Sequence, residues 1–105
     1  MTMETHTARR IEIIIETPAL RTLRRALERS GVKGYSILPI MGGYGRTGSW
    51  SREGEVGMAN SMVAVLCLVA PDRADAVLQA VYEVVDRQIG VVAVSDSQVV
   101  RRERF

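Results

Sequence analysis

The residues best suited to chemistry lie in one glycine-rich stretch, residues 41–57, which reads M-G-G-Y-G-R-T-G-S-W-S-R-E-G-E-V-G. Six of the nine glycines in the chain fall there: Gly42, Gly43, Gly45, Gly48, Gly54 and Gly57. Glycine lets backbone N–H groups approach a ligand closely. A run of such donors beside Arg46 predicts a concave anion-binding site, and the stretch itself predicts a long loop, too long for a hairpin turn.

Residues 43–48 also fit the pattern G-x-G-x-x-G, which in a dinucleotide-binding fold opens a helix. No helix is expected here, because two more glycines follow, and no acidic residue ends a strand about 20 residues later. The pattern therefore does not indicate a dinucleotide site.

Catalytic side chains are sparse. His6 is close to the start of the chain, Cys67 sits in an apolar run, and the serines of the loop have no histidine nearby in sequence. Hydrolysis of an acyl phosphate needs an anion cradle between the first strand and the first helix, where Glu16 and Pro18 are poorly suited. A small enzyme that hydrolyses a nucleotide or an acyl phosphate stays open as the alternative, and no metal site is expected.

Composition indicates one globular domain of 105 residues, with a net charge of +2. Thirteen of the fourteen basic residues are arginine, which suits contacts with phosphate or carboxylate. No apolar run is long enough to span a membrane, and the start lacks the core of a signal peptide, so we expect a cytoplasmic protein with residues 1–8 as a flexible tail and 9–105 as the domain.

Hydrophobic periodicity divides the domain into alternating strands and helices. Residues 9–16 alternate, with Ile11, Ile13 and Ile15 on one face and Arg10 and Glu12 on the other. Residues 17–31 and 71–90 read as helices, each opened by a proline and ended near a glycine. Further strands are expected at residues 34–41, 58–70 and 91–95, with a short edge piece at 98–102.

The order β-α-β-loop-β-α-β predicts an α+β, ferredoxin-like βαββαβ fold with both helices on one face of the sheet. The strand at residues 58–70 is apolar on both sides, so a partner must cover the second face. The simplest partner is another copy of the chain in a closed symmetric oligomer. The central strands carry isoleucine and valine in place of the exposed aromatics that bind RNA, so no nucleic acid is expected.

From about Arg9 to Arg104, the chain resembles the PII signalling proteins, including the PII-like branch tied to bicarbonate uptake and carboxysomes. The segments that carry the resemblance are R-R-I-E-I-I-I-E, G-V-K-G-Y-S-I-L, G-G-Y-G-R, L-V-A-P-D and V-V-R-R-E-R. Their order and spacing match the family, which forms homotrimers with adenine nucleotides in the clefts between subunits.

The resemblance implies a non-enzymatic sensor of ADP, AMP or ATP. Ile14 and Val69 would flank the base, and Ser36 would take the place of a base-binding threonine. The phosphates would meet the root of the loop, the turn at Gly90 and the chain end; these residues are Gly43, Tyr44, Gly45, Arg46, Gly90, Arg101, Arg102 and Arg104, with Arg101 given by the neighbouring subunit.

The carbon-handling branch further implies bicarbonate as a second ligand, bound by Gly43, Gly45 and Arg46. The loop, with Thr47, an exposed Trp50 and Arg52, would contact a protein partner such as a bicarbonate transporter or a carboxysome-related protein.

Departures from the family pattern narrow these expectations. The tyrosine that is modified in nitrogen-regulating members falls near Ser51, and the glutamine after G-x-G-R is Thr47. The turn before Val91 is short and lacks the family's phosphate-binding lysine, and Glu103 occupies the site of the second terminal arginine. The absence of this lysine and of the glutamine weakens the expectation that the site selects a nucleoside triphosphate. It leaves room for ADP or AMP and for a small anion.

Overall fold

The computed structural model describes residues 3–45, 48–51 and 61–101. Two helices and six strands lie in these ranges: β1 (His6–Glu16), α1 (Leu20–Arg29), β2 (Ser36–Pro39), β3 (Gly42–Gly45), β4 (Gly48–Ser51), β5 (Met62–Val69), α2 (Ala74–Val85) and β6 (Gly90–Val99). A single 3₁₀ turn that contains a proline precedes each helix, Thr17–Ala19 before α1 and Pro71–Arg73 before α2. Because proline fixes φ and lacks a donor, it suits this first turn.

Four strands form one antiparallel sheet in the order β2-β5-β1-β6. β1 and β5 are central, with Ile13 opposite Val65, and α1 and α2 supply the connections that return the chain to the sheet. The arrangement confirms the expected α+β, ferredoxin-like fold. β3 and β4 form a separate two-stranded sheet.

The hydrophobic core lies between the helices and one face of the sheet. Both helices contribute to the same cluster of buried side chains, so they cover the same face. The cluster comprises Ile11, Ile13, Ile15, Ala19, Leu23, Leu27, Val63, Val65, Cys67, Val69, Ala74, Val77 and Val81. The alternation in β1 and β5 and the stripes on the helices produce this layer directly.

The opposite face of the sheet carries a second set of apolar side chains. Cross-strand register places Ile14 beside Ala64 and Val91, and it places Leu66 and Leu68 on the same face. Neither helix packs there, and Val91 is 58% exposed. Soluble proteins seldom expose a large contiguous apolar surface, so this open face, as we call it, fits a surface that associates with other copies.

Several boundaries differ from the sequence-based expectations. β1 begins at His6 and buries Ala8, so residues 6–8 belong to the sheet and not to a tail. β6 is one strand, because it pairs with β1 without interruption from Gly90 opposite Ile15 to Val99 opposite His6. α2 ends at Val85, and Gly90 therefore starts β6 and does not cap the helix.

The end of α1 depends on backbone freedom and on one arginine. Gly31 follows the helix with a φ of 87°, in the left-handed region that glycine adopts at little cost. The Arg73 guanidinium donates a hydrogen bond of 2.9 Å to the Ser30 carbonyl at this turn. Neither this helix nor α2, the two in the described ranges, is long and apolar enough to cross a membrane.

Leu23 should be among the most sensitive core positions, because its side chain is fully buried between α1 and the sheet. We expect Leu23→Ala to lower the free energy of unfolding by about 2–5 kcal/mol through lost burial and a residual cavity. Arg21→Ala, on the exposed side of the same helix, should change it by less than about 0.5 kcal/mol. Urea unfolding at one protein concentration measures both, and equal values would contradict the placement of the core.

Cys67 is 4% exposed, and burial raises the pKa of its thiol from 9.0 to about 11. Since the unfolded thiol ionises first, the stability linked to this group is fully present below pH 9 and is lost as the pH rises towards about 11. Unfolding of the parent and of Cys67→Ala should therefore show a stability difference that shrinks over this range. A difference independent of pH would contradict the burial of the thiol.

Candidate ligand-binding site

A cleft of about 730 Å³ opens over the open face, at the end of the sheet where β2 begins and β6 ends. Its lining is Arg10, Gly34, Tyr35, Ser36, Leu66, Cys67, Leu68, Ser97, Gln98, Val99 and Val100. Ser36 lies opposite Leu66, and Arg10 lies opposite Leu68, so an apolar surface and polar groups share one face. Its volume falls within the range of small-molecule sites, and its lining combines apolar and polar groups.

Tyr35, which precedes β2 and lines the cleft, is held in place by hydrogen bonds to α1. Its hydroxyl donates to a Glu28 carboxylate oxygen at 2.6 Å and accepts a hydrogen bond from Arg24 Nε at 3.0 Å. The hydrogen bond to Tyr35 raises the pKa of the Arg24 guanidinium. The network joins α1 to Tyr35, the residue before Ser36, and Ser36 lines the cleft.

An ion pair that the sequence analysis did not single out lies beside this cleft, and Arg10 is its member that lines the cleft. Arg10 Nη2 donates to Glu12 Oε2 at 3.2 Å, with the two side chains 38% and 32% exposed. The alternation in β1 predicts that the side chains of Arg10 and Glu12 face away from the core, as they do. Taken alone, this alternation predicts that both side chains are exposed to solvent. The signal that points further is β5, because Leu66 and Leu68 lie on the same face and surround the pair with apolar side chains.

Another group of expected site residues lies at the opposite end of the sheet. Ile14 is on the open face beside Ala64 and Val91, and Gly90 pairs with Ile15. A Cβ on Gly90 would be only 2.6 Å from the Ile14 carbonyl oxygen, so the two backbones approach too closely for a side chain. β2 ends at this side of the sheet, since Pro39 pairs with Val63, and the chain enters β3 from there.

The β3–β4 hairpin corrects the expectation of a loop without strands. Its strands pack mainly on each other, and Gly43 lies opposite Trp50. Trp50 Nε1 is 3.2 Å from the position of a Cβ on Gly43, so the indole covers that glycine and is half-buried, not exposed as expected. The site of a Cβ on Gly45 is open, and Tyr44 is 88% exposed.

The side chains of Val69 and Ile14 lie on different faces of the sheet. Val69 pairs with Arg9, and its side chain points to the helices with 4% exposure. Ile14 lies on the opposite face of the sheet. The assignment of both residues to one base is therefore corrected for Val69, whose odd-numbered register places it in the core.

Within one chain, the remaining expected residues form two separate groups. Ser36 lies in the cleft, and Arg101 directly follows Val100 of its lining. Ile14, Gly90 and the start of the hairpin lie towards the other end; Ser36 is level with Leu66 and Glu12, two strand residues, about 7 Å, along the sheet from the row of Ile14. Five further expected residues lie outside the described ranges: Arg46, Thr47, Arg52, Arg102 and Arg104. No group of three or more possible metal ligands occurs among His, Cys, Asp and Glu of the described ranges.

Comparison with known proteins agrees with this architecture. The fold matches CPII, a nitrogen regulatory PII-like protein from Thiomonas intermedia K12, in a structure with ADP, AMP and bicarbonate, with a TM-score of 0.86 and 25% identity over 99% of this chain and 98% of that one. A second CPII structure, with ADP and bicarbonate, gives a TM-score of 0.82 and 28% identity over 99% of both chains.

A PII-like signalling protein from Thermus thermophilus shares the fold, with a TM-score of 0.80 and 23% identity over 98% of this chain and 99% of that one. No curated protein sequence matches the chain. The family model described as nitrogen regulatory protein P-II matches residues 8–104. Since this match spans nearly the whole sequence, the chain belongs to the P-II family of regulatory proteins, in agreement with the resemblance found in its motifs.

Proposed function

We propose that the protein is a homotrimeric, non-enzymatic sensor that binds an adenine nucleotide together with bicarbonate between its subunits. The observation that carries the proposal is the likeness to two CPII structures, 25% and 28% identical over 99% of this chain, which hold ADP with bicarbonate. The cleft beside Ser36 offers this chain a site of suitable size.

Separation of the two groups of residues supports a site between subunits. The far end of the cleft, at Val100, leads to Arg101, whereas Ile14 and Gly90 lie towards the other end of the sheet, with Ser36 between them, opposite Leu66. If the open faces of neighbouring copies meet around a three-fold axis, the cleft of one copy can face the Ile14 end of the next. Each nucleotide then contacts two subunits, and assembly completes the site.

ADP and AMP are the preferred nucleotides in this proposal. The chain has one lysine, Lys33, and none in the turn before Gly90, where the family holds phosphate. Fewer cations there favour a shorter phosphate chain and leave space for bicarbonate. Backbone N–H groups of Gly43 and Gly45 and the Arg46 guanidinium are the proposed bicarbonate donors, since a guanidinium fork matches two oxygens of a planar anion.

The loop that contains the hairpin is the proposed signalling element. It begins at the Ile14 end of the sheet, so ligands bound there can change the surface that Thr47, Trp50 and Arg52 offer to a partner. We propose a partner of the inorganic-carbon system, a bicarbonate transporter or a carboxysome-related protein. The ligands would then report carbon and energy status in one signal. Release of phosphate on incubation with ATP would favour the hydrolase alternative.

A charge on the open face should prevent assembly. We expect Leu66→Asp to shift the protein from trimer to monomer in sedimentation velocity, because the trimer would bury an unpaired carboxylate. Gln79→Asp adds the same charge on the exposed side of α2 and should leave the trimer intact. A monomeric parent protein, or a trimeric Leu66→Asp variant, would contradict the proposed role of this face.

Bicarbonate and nucleotide should strengthen each other's binding, since coupling between two sites is reciprocal. We expect calorimetry to give a higher ADP affinity in bicarbonate than in chloride at the same pH and ionic strength. Arg46→Ala should lower ADP affinity about tenfold or more, the contribution of a charge-assisted contact, whereas Arg21→Ala should not change it. Equal affinity in both buffers would remove bicarbonate from the proposal, and unchanged binding by Arg46→Ala would remove Arg46.

A further inference from the structure

The outer side of α1 carries a row of arginines, Arg21, Arg25 and Arg29, which we call the arginine stripe. They follow one another at a spacing of four residues, so they lie on one face of the helix at intervals of about 6 Å. All three are exposed, and none forms an ion pair or a side-chain hydrogen bond with another described residue.

The arginine stripe destabilises the helix that carries it. Like charges four residues apart repel each other, and the stripe contains two such pairs. Arg21 lies in the first turn, where the helix dipole disfavours a cation and no acidic residue compensates it; only Arg29, in the last turn, suits the dipole. Glu28, the one glutamate of α1, already accepts the hydrogen bond from Tyr35. Residues that break a local rule without a compensating contact in the chain are typical of functional surfaces.

A groove of about 710 Å³ lies between α1 and α2, beside the arginine stripe. Arg29 belongs to both, since it also lines the groove. Much of the remaining lining is small: Thr22 and Ala26 come from α1, and Ala76 and Ala80 come from α2. Because the helices cover the side of the sheet opposite the open face, association of copies through the open face leaves the groove accessible.

A helix with acidic side chains on one face is complementary to this surface. Carboxylates at positions i, i+4 and i+8 of such a helix repeat at about 6 Å, as the arginines of the stripe do. Each guanidinium then forms a charge-assisted contact with a carboxylate. Small side chains in the groove let a third helix approach to the usual interaxial distance of about 8–10 Å. Arg29 and Arg87 outnumber Glu83, the one acidic residue among the described lining.

Two other negatively charged partners fit this surface less well. Proteins bind a membrane surface through arginines together with apolar side chains that insert, and none of the large exposed apolar residues of the described ranges lies on α1. Proteins bind a single nucleic-acid strand through basic grooves with aromatic side chains that stack on its bases, and α1 has no aromatic residue. An acidic helix needs neither feature.

We propose that the arginine stripe and the adjoining groove bind an acidic amphipathic helix of a partner protein. Its carboxylates pair with Arg21, Arg25 and Arg29, and its small and apolar side chains lie in the groove. This surface is separate from the loop that contains the hairpin, so it gives the protein a second docking site. The inference goes beyond the proposed sensor function and does not depend on nucleotide binding.

The test uses the full-length protein and an alanine-rich helical peptide of about 18 residues, with glutamates at i, i+4 and i+8. In calorimetry, Arg25→Glu should lower the peptide affinity about tenfold or more, because it places a negative charge within the stripe. Lys33→Glu reverses an exposed charge outside the stripe and the groove, and it should keep the parent's affinity within about threefold. A peptide of the same composition with its glutamates on different faces should bind less tightly.

Urea unfolding of the variants gives a second readout, which moves in the opposite direction. Arg25→Glu replaces two repulsive pairs by attractive ones with Arg21 and Arg29, so it should raise the urea midpoint while it weakens binding. Arg21→Glu places an acidic side chain in the first turn and should act in the same two ways. Loss of binding then cannot result from unfolding. A lower midpoint in Arg25→Glu would show that Arg25 stabilises the fold, and it would overturn the inference.

The binding measurements can overturn the inference in three further ways. These are an absence of saturable peptide binding by the parent, unchanged affinity in Arg25→Glu and Arg21→Glu, and an equal loss in Lys33→Glu. Tighter binding to an oligothymidine strand or to phosphatidylglycerol vesicles than to the peptide also overturns it, in favour of a nucleic acid or a membrane. ADP titration of the parent tests the sensor function separately, so either proposal can fail while the other stands.

Discussion

A sheet covered by helices on one face only is the constraint on which the rest of the molecule depends. α1 and α2 bury Ile11, Ile13 and Ile15 of β1 together with the valines of β5. On the other side they leave Ile14, Leu66, Leu68 and Val91. Burial of apolar area contributes about 25 cal/mol per Å², so this surface favours association with further copies. In the proposed trimer, the face that other copies cover also carries the cleft, which links assembly to ligand binding.

The hairpin meets the sheet at the end opposite the cleft. At two positions near this end, Gly90 and Gly43, neighbouring groups approach the backbone closely. Gly90 has room for no side chain beside the Ile14 carbonyl, and Gly43 lies beneath the Trp50 indole. Glycines at these points bring main-chain donors and an aromatic ring near the base of the loop. In the proposed trimer, this end of one subunit and the cleft of its neighbour form one site, so a change of ligand can alter the loop.

Much of this architecture could be predicted from the sequence, because periodicity identifies which side of a strand or helix is buried. The alternation of Ile11, Ile13 and Ile15 and the prolines before the helices were sufficient for the element order. Cross-strand register was not available from the sequence, so the resemblance that assigned Ile14 and Val69 to one base could not show that their side chains lie on opposite faces of the sheet. The hairpin was missed for another reason: glycine disfavours strands, and the pairing of Gly43 with Trp50 offsets this only in the folded chain.

A complementation experiment tests most directly whether the nucleotide site lies between subunits. Val100→Arg blocks the far end of the cleft, and Ile14→Arg blocks the opposite end of the sheet, so trimers of either variant alone should bind little ADP. The two variants are mixed, unfolded and refolded together, and sedimentation velocity confirms the trimers. If the sites lie between subunits, mixed trimers should regain ADP binding. Some of their interfaces then join the intact cleft of one chain to the intact Ile14 end of its neighbour. No recovery in mixed trimers would contradict the account, since a site within one subunit would be blocked in every chain.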